Sequence, residues 1–346
     1  MRVGMSLEYS GGFLETVADL RDYEAVGVDI VFVPEAYSFD AVSQLGFIAA
    51  RTERVQIASG ILQIYTRTPT LTAMTAAGLD YVSGGRFTLG LGASGPQVVE
   101  GFHGVPYAAP LARTREVIEI CRQVWRREKV EYDGRHYQIP LPPGAGTGLG
   151  KPLRLINHPV RDRIPILIAA IGPKNVTLAA EVAEAWEPLF FYPTRARDVW
   201  GDSLAEGAAL RAPELGPLDV VVGMPVAVGD DVDELVELGR QQLALYIGGM
   251  GARGRNFYND LACRYGFAEA AETVQDLYLS GQKVAAAAAV PWDLLHATSL
   301  IGSVAQVRAK LAELAEAGVT TLNLHPVQTE HRDRLRRFEL VRELTP

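Results

Sequence analysis

Short runs of β-branched and other apolar residues alternate along the chain with longer segments whose apolar residues recur at helical spacing. The short runs predict eight strands, over residues 3–7, 29–33, 55–64, 86–92, 164–170, 187–192, 219–228 and 320–325. The longer segments predict helices over residues 12–26, 40–51, 69–82, 174–185, 231–246 and 330–344. Strands that alternate with helices predict a parallel sheet with right-handed crossovers.

Eight strands favour a closed (β/α)8 TIM barrel, an α/β fold, over an open doubly wound sheet. A barrel core takes about 250 residues, so the 346-residue chain has room for insertions. We expect insertions at about 130–163 and 247–300. The first contains VEYDGRHYQI, which predicts a hairpin that turns at Asp133-Gly134. No repeat or shift in composition marks a boundary, so residues 1–346 are expected to form a single domain.

Charge and composition narrow the possible functions. The chain has a net charge of −8 and no long basic run, which argues against nucleic-acid binding. No apolar stretch reaches the roughly 18 residues that a membrane span needs. The two cysteines and six histidines show no metal-ligand spacing. We therefore expect a cytoplasmic protein without a metal, a membrane partner or a nucleic-acid partner, acting on a small molecule.

The letters GLGASG at residues 90–95 satisfy the dinucleotide-binding pattern G-x-G-x-x-G. That motif needs a helix after its third glycine and an acidic residue at the end of the next strand, about 20 residues on. Here the sequence ends any helix after Gly95 within about one turn, and Glu116, at the right offset, lies in a helical pattern. In a barrel, Gly90 and Gly92 instead suggest a slot for a planar ring at the end of strand four, or relief of crowding inside the barrel.

Active sites of such barrels lie at the carboxyl ends of the strands, which we call the mouth. Candidates for proton transfer there are Glu8 after strand one, Glu35 after strand two, and Glu100 and His103 after strand four. Each also has a structural interpretation, such as Glu35 capping the next helix. After strand five, the turn Gly172-Pro173-Lys174 opens a helix whose N-terminus suits a phosphate, or is an ordinary strand–helix turn.

Residues 57–104 resemble the luciferase-like flavin and deazaflavin oxidoreductases, and among them the branch that uses coenzyme F420, similar to methylenetetrahydromethanopterin reductases. The resemblance extends over nearly the whole chain. Its motifs are Gly60-Ile61, RTP at 67–69, DYVSGGR at 80–86, LGLG at 89–92, IAAIGP at 168–173 and AGVTT at 317–321.

The resemblance implies a deazaflavin at the mouth, behind which the peptide bond Gly60–Ile61 is cis. It implies that the phosphodiester of the cofactor lies near Ala169, Ala170 and Gly172, and it ranks Glu100 first as proton donor. Relatives have an acidic residue followed by histidine where this chain has Glu35-Ala36, so that histidine is absent. Expected cofactor contacts are Glu35, Gly60, Ile61, Gly92, Ser94, Gly95, Gln97, Ala169, Ala170, Gly172, Pro173 and Lys174.

The anionic tail of coenzyme F420 needs cations at the rim of the barrel. Arg113 and Arg115 are the expected contacts, within a larger set on the expected side that also includes Arg67, Lys151, Arg161 and Arg163. We therefore expect an F420-dependent oxidoreductase that transfers hydride to or from a small organic substrate. The alternatives are an FMN-dependent monooxygenase on the same barrel and a non-catalytic deazaflavin-binding subunit. The resemblance also implies a homodimer.

Overall fold

The computed structural model describes residues 1–8, 12–229, 232–328 and 330–345, so the predicted helix start at Asp231 lies outside the described residues. The strands are β1 (Arg2–Ser6), β2 (Ile30–Val33), β3 (Gln56–Ser59), β4 (Leu62–Gln63), β5 (Phe87–Gly92), β6 (Tyr132–Asp133), β7 (Gln138–Ile139), β8 (Ile166–Ala169), β9 (Ala185–Glu187), β10 (Asp219–Val228), β11 (Leu300–Gly302) and β12 (Thr321–Pro326). Strands β1, β2, β3, β5, β8, β9, β10 and β12 pair in parallel in that order, and β12 pairs with β1. The ring is closed, which confirms the predicted (β/α)8 barrel.

Helices surround this barrel and fill its insertions. They are α1 (Phe13–Ala25), α2 (Ala41–Arg51), α3 (Pro69–Val82), α4 (Pro96–Val99), α5 (Pro110–Trp125), α6 (Pro173–Val182), α7 (Pro193–Leu210), α8 (Val232–Ala244), α9 (Phe257–Arg264), α10 (Ala268–Leu279), α11 (Lys283–Ala288), α12 (Trp292–Ala297), α13 (Val304–Glu316) and α14 (His331–Leu344). A 3₁₀ turn spans Pro213–Leu215 and a π-helical turn spans Leu245–Gly249. Among the described residues, no helix has both the length and the apolarity to cross a bilayer.

The barrel interior is layered, as expected for strands whose side chains alternate between the inside and the outside. A middle apolar layer closes the centre and contains Ile30, Phe32, Ala58, Leu167, Ala185 and Val221. Below it, at the amino ends of the strands, lies a cavity of about 220 Å³. Two ion pairs, Arg2–Asp219 and Arg161–Asp80, help to line this cavity. The charges of these two pairs are satisfied within the protein, and the cavity lies opposite the mouth.

Three predicted elements differ from the structure. The predicted strand 55–64 is two short strands, β3 and β4. Predicted strand 187–192 is displaced, because β9 is Ala185–Glu187, and the preceding helix ends at Val182. The aromatic residues after β9 pack in a cluster instead, with the ring of Phe191 stacked 5.7 Å from that of Trp200. Strand β11, which pairs with β10, was not predicted.

The first insertion contains the predicted hairpin, formed by β6 and β7. Its turn is longer than predicted and extends from Gly134 to Tyr137, joined by a hydrogen bond of 2.9 Å from the Gly134 N–H to the Tyr137 carbonyl. The buried carboxylate of Glu116 accepts N–H groups of this turn, including that of Tyr137 at 2.9 Å. Glu116 lies on α5 and anchors the hairpin, so it is unavailable to a dinucleotide ribose.

Between β3 and β4 the chain forms a bulge opposite β5. Ser59, Gly60 and Ile61 lie between paired residues on one side, whereas only Leu89 and Gly90 do so on the other. The peptide bond Gly60–Ile61 is cis, as predicted. The Ser59 hydroxyl supplies hydrogen bonds where the backbone ladder is interrupted. It accepts the Gly90 N–H at 2.8 Å and donates to the Gly90 carbonyl at 2.9 Å.

Gly90 and Gly92 of GLGASG make room for this bulge, which corresponds to the relief of crowding inside the barrel, and the predicted contact of Gly92 with the cofactor stays a prediction. A Cβ atom at Gly90 would lie 1.8 Å from the Ser59 carbonyl oxygen, and one at Gly92 would lie 2.8 Å from Cδ1 of Ile61. The space beside both glycines is therefore filled by the protein itself. The motif also lacks a dinucleotide helix, because α4 has only four residues.

We predict that Gly90→Ala destabilises the fold by more than about 4 kcal/mol, since a backbone oxygen 1.8 Å from the new Cβ cannot yield without breaking the bulge. Gly46→Ala is the matched control: Gly46 lies inside α2, where a Cβ meets nothing within 4 Å. It is expected to be neutral or stabilising by about 1 kcal/mol. Urea unfolding measures both variants, and equal stability of the two would contradict the proposed clash.

Candidate active site

The inner face of the mouth has a polar half on β9 and β12 and an opposite half formed by the bulge and β4. Ala185 belongs to the inner layer, so Glu187, two residues further along β9, also faces inward. On β12, Asn323 pairs with Gly223 of β10 and is buried. Its side-chain amide donates to the Ser6 hydroxyl of β1 at 2.9 Å.

Glu187 lies where its carboxyl is largely removed from bulk water but still partly accessible. Desolvation raises the pKa of Glu187 to about 7, and a hydrogen bond with Asn323 opposes this shift. The carboxyl is therefore divided between its protonated and ionised forms near neutral pH. A group in this state can either give or accept a proton.

His325 lies two residues beyond Asn323 on β12. Its ring packs beside Gly223, where a Cβ would come within 3.4 Å of Nε2. Water reaches the side chain, yet desolvation by the surrounding protein, with a smaller effect of the cationic Arg334, lowers the pKa of His325 to about 4. His325 is thus exposed at the carboxyl end of β12, and the neutral form of its ring is favoured at pH 7.

Opposite these polar groups, Ile61 lies over Gly92 and remains partly exposed to the mouth. Gln63 follows on β4 and is 1% exposed. Its Nε2 donates to the Ala36 carbonyl at 2.9 Å, while its Oε1 has no hydrogen-bond partner among the described residues. The Ile61 side chain thus forms an apolar surface at the mouth, which we call the shelf. Beside it, the Oε1 atom of Gln63 is an acceptor without a hydrogen-bond partner among the described residues.

The predicted phosphate turn joins β8 to α6. Ala169, Ala170, Gly172, Pro173 and Lys174 lie together here. Gly172 caps the helix without a side-chain hydrogen bond, and its carbonyl accepts the N–H groups of Asn175 and Val176. Because Pro173 has no N–H, the Lys174 N–H is the first-turn donor left for an anion among the described residues. Lys174 is exposed.

Arg264, from the second insertion, reaches the same turn. Its Nη2 donates to the Ile171 carbonyl at 2.8 Å, whereas its buried Nη1 has no hydrogen-bond partner among the described residues. Desolvation lowers the pKa of Arg264, but arginine remains protonated at neutral pH. The Arg264 guanidinium therefore lies beside the turn that begins α6, and a guanidinium and a helix N-terminus are both groups that bind phosphate.

Glu35 is engaged within the protein. Both of its carboxylate oxygens accept from the Arg67 guanidinium, at 2.6 and 2.9 Å, and one also accepts the Ala41 N–H at the start of α2. Arg67 pairs with Asp40 as well, at 2.7 Å. This geometry corresponds to the structural interpretation of Glu35 as a helix cap, and its predicted contact with the cofactor stays a prediction.

The residues predicted after β5 lie on an outer loop of the mouth. Ser94 has a left-handed backbone (φ 58°), Gly95 is the N-cap residue of α4, and Gln97 is exposed. Glu100 is exposed and accepts the N–H of Tyr107 at 3.0 Å. His103, against Phe102, has a buried Nε2 without a hydrogen-bond partner among the described residues. Glu8 is exposed beyond β1.

The structure separates the arginines predicted for the cofactor tail. Arg113 lies in the first turn of α5 and packs on the rings of Tyr65 and Tyr137. Arg115 pairs with Glu181 near the end of α6, directed away from the mouth. Arg161 lines the cavity at the opposite end of the barrel, and Arg163 pairs there with Glu184. The prediction that Arg161 and Arg163 lie on the mouth side is wrong.

Aromatic side chains form a wall above the polar half of the mouth. Phe190, which follows β9 with φ 54°, contacts Tyr246 edge-on at 5.3 Å, and Tyr246 contacts Tyr258 at 4.8 Å. Desolvation raises the pKa of Tyr246, and so does the nearby hydroxyl of Tyr37 beyond β2. Tyr37 in turn contacts Phe102. The second insertion therefore extends across the mouth towards β2.

Potential metal ligands gather outside the barrel. Among the described residues, Asp19, Asp22 and His331 could hold an ion. They lie between α1 and α14, where the two nitrogens of His331 are 3.2 and 3.0 Å from the two carboxylates. This group belongs to the contact between two outer helices and not to the mouth.

Sequence reasoning missed Glu187, His325 and Arg264 as site residues. The correct end of β9 would have identified Glu187, because a carboxylate at the end of a barrel strand is a strong signal. His325 had been placed at the end of a strand but was considered only as a metal ligand. The sequence gives no signal for Arg264, because its contact with Ile171 joins residues that are 93 positions apart in the chain.

We predict that Glu187→Gln changes how stability depends on pH. The folded protein raises the pKa of Glu187 from 4.5 to about 7, so this stabilisation is complete below pH 4.5 and is lost as pH rises through 7. Relative to the wild type, the variant should become more stable between pH 5 and 8, by at most about 3 kcal/mol. Urea unfolding across this range measures the difference, and a constant difference would contradict a raised pKa.

His325→Gln should show the opposite trend. The pKa of His325 is lowered from 6.5 to about 4, so its contribution is complete above pH 6.5 and is lost as pH falls through 4. The variant should therefore gain stability relative to the wild type as the solution is acidified from pH 7 to 4. The effect is smaller than a fully buried group would give, because water reaches the ring. Parallel curves for variant and wild type would refute it.

Comparison with known proteins identifies the family of this chain. Residues 1–321 match the luciferase-like monooxygenase family. A putative coenzyme F420-dependent oxidoreductase of Mycobacterium tuberculosis is 41% identical over 332 residues, which cover 93% of this chain and 94% of that protein. The 5,10-methylenetetrahydromethanopterin reductase of Archaeoglobus fulgidus is 28% identical over 89% of this chain and 90% of its own.

Solved structures agree in fold. The coenzyme F420-dependent tetrahydromethanopterin reductase of Methanopyrus kandleri superposes with a TM-score of 0.81 at 22% identity, over 99% of this chain and 98% of that one. An F420-dependent secondary alcohol dehydrogenase, in complex with an F420–acetone adduct, gives a TM-score of 0.74 at 20% identity, over 100% of this chain and 99% of that one. The family match covers most of the sequence, and the chain belongs to the luciferase-like monooxygenase family.

Proposed function

We propose that this protein is an F420-dependent oxidoreductase that transfers hydride between the deazaflavin and a small organic substrate. The observation that carries the proposal is the pairing of an apolar shelf, Ile61, with a phosphate-binding point at Gly172 and Arg264 on the same mouth. The relative from M. tuberculosis, whose name specifies coenzyme F420, supports the choice of cofactor.

The residues present fit this cofactor. Ile61 would support the flat face of the ring, and Gln63 offers a buried acceptor close by. Arg264 and the first turn of α6 would hold the phosphodiester, and Arg113 lies at the start of α5 for the anionic tail. When bound, the deazaflavin supplies or accepts the hydride. The protein orients the two reactants and handles the accompanying proton.

The substrate side of the mouth is aromatic. Phe190, Tyr246 and Tyr258 form one continuous wall, and Tyr37 and Phe102 continue it on the other side. Such a wall selects a substrate with a flat or apolar body, while the polar half below it suits one electrophilic carbonyl or imine group. The ring of His325 is neutral and therefore does not attract anions.

We predict that the protein binds F420 at least tenfold more tightly than FMN. Arg264→Gln should weaken F420 binding about tenfold, because one charge-assisted hydrogen bond to phosphate is lost. Arg54→Gln removes an exposed arginine next to the amino end of β3 and should change nothing. Fluorescence titration measures the affinities of the wild type for F420 and FMN and those of the two variants for F420.

Two outcomes would contradict this function. Tighter binding of reduced FMN, with oxygen uptake, would establish the monooxygenase alternative. Binding of F420 without reduction or oxidation of any carbonyl, imine or alcohol in a broad panel would favour a non-catalytic deazaflavin-binding subunit.

The −8 charge and the free thiols of Cys121 and Cys263 are consistent with the cytoplasmic location that we propose.

A homodimer is also part of the proposal. One face of α3 presents Leu71, Met74, Tyr81 and Val82 to solvent, each between 46% and 68% exposed. Their spacing places them in one stripe along the helix, and Phe47 of the adjacent α2 is exposed as well. An apolar stripe on an otherwise charged surface is typical of a subunit interface, and a second copy would cover it with the same stripe.

Met74→Glu at the centre of this stripe should convert the dimer to a monomer, since two carboxylates would face each other across a two-fold axis. Leu279→Glu is the matched control on α10, where the leucine is similarly exposed at 47%. Light scattering coupled to gel filtration gives the molar mass of each. A wild-type monomer, or a Met74→Glu dimer, would contradict the proposed interface.

A further inference from the structure

The proton-transfer candidates named from the sequence are occupied or lie outside the barrel interior. Glu35 is held by Arg67, Glu100 by the Tyr107 N–H, and Glu8 is exposed beyond β1. Glu187, by contrast, projects from β9 into the barrel beside Asn323. Of the carboxylic acids among the described residues at the mouth, it is the one that the register of the strands directs inward.

We infer that Glu187 is the proton-transfer residue of this active site. It is oriented by Asn323 and delivers a proton to the heteroatom of the substrate as hydride reaches the adjacent carbon. The inference rests on the proposed function, because it concerns the same reaction. It adds a residue that the family resemblance did not indicate.

The step balances in atoms and charge. For a carbonyl substrate, the hydride forms the new C–H bond and the electrons of the C=O π bond move to oxygen. The O–H bond of the Glu187 carboxyl breaks as the alcohol O–H bond forms, which leaves a carboxylate. Water that reaches the partly exposed carboxyl restores the proton. In the oxidative direction Glu187 accepts the hydroxyl proton instead.

The surroundings of Glu187 suit this role. Asn323 is itself held by hydrogen bonds with Ser6, and its amide lies beside the Glu187 carboxyl. The titratable groups on neighbouring elements are His325 on β12, which is neutral, and Glu8 beyond β1. Desolvation alone accounts for the raised pKa of Glu187, Asn323 lowers it, and no charged group contributes.

The first test needs neither cofactor nor substrate. Infrared difference spectra of the ligand-free protein, recorded between pH 5 and 9, should contain a protonated-carboxyl band that titrates near pH 7. The band should be absent in Glu187→Gln and present in Glu53→Gln, a control in the exposed loop before β3. If Glu187→Gln retains the band, or the wild type lacks it, Glu187 holds no proton to deliver and the inference is overturned.

The second test uses the F420-loaded enzyme, with cyclohexanone as the carbonyl probe and a broader panel of ketones and imines behind it. Glu187→Gln should lower kcat about 100-fold, with little change in KM or in F420 affinity. It should also remove the limb of the pH–rate profile near pH 7. Unchanged kcat and an unchanged profile would overturn the inference.

The Asn323→Ala variant tests the direction in which Asn323 shifts the pKa of Glu187. Asn323 lowers the pKa of Glu187, so its removal should move both the infrared titration and the pH–rate limb to higher pH. A merely structural role for Asn323 would leave both midpoints in place. If the wild type fails to bind F420, the proposed function fails, whereas the proton on Glu187 is still decided by the infrared titration.

Discussion

The Ser59 carbonyl oxygen occupies the space where any residue other than glycine at position 90 would carry a Cβ atom. This contact allows the third strand of the barrel to leave its ladder for one residue and then rejoin it as β4. The bulge turns Ile61 over Gly92 and towards the mouth. The apolar shelf that we assign to the deazaflavin ring therefore depends on a missing methyl group on the neighbouring strand, β5.

The opposite half of the mouth depends on desolvation. Glu187 and His325 lie on strands that flank β10, and the protein pushes each towards its neutral form. Their contributions to stability change with pH in opposite directions, so they largely offset each other between about pH 4.5 and 6.5. A neutral cavity of this kind accepts an uncharged organic substrate and still contains a proton that can be transferred. Both the pH dependence of stability and the proposed chemistry therefore depend on the desolvation of these two side chains.

The overall architecture was predictable because alternating strands and helices leave a strong periodic signal. The cis peptide bond at Gly60–Ile61 followed from the family resemblance. Strand six was misplaced because the aromatic run after it looks more strand-like than Ala185–Glu187, and only tertiary packing on Trp200 shows otherwise. That single shift concealed Glu187. Arg264 was beyond reach for a different reason, because an insertion brings it to Ile171 and no local pattern encodes that contact.

The central claim is that one mouth places the ring on the Ile61 shelf and the proton on Glu187. A crystal structure of the protein with F420 bound tests it most directly. We predict that the deazaflavin lies against Ile61, that its phosphodiester contacts Arg264 and the start of α6, and that Glu187 faces the open side of the ring. A ring bound elsewhere, or one separated from Glu187 by protein, would contradict the account.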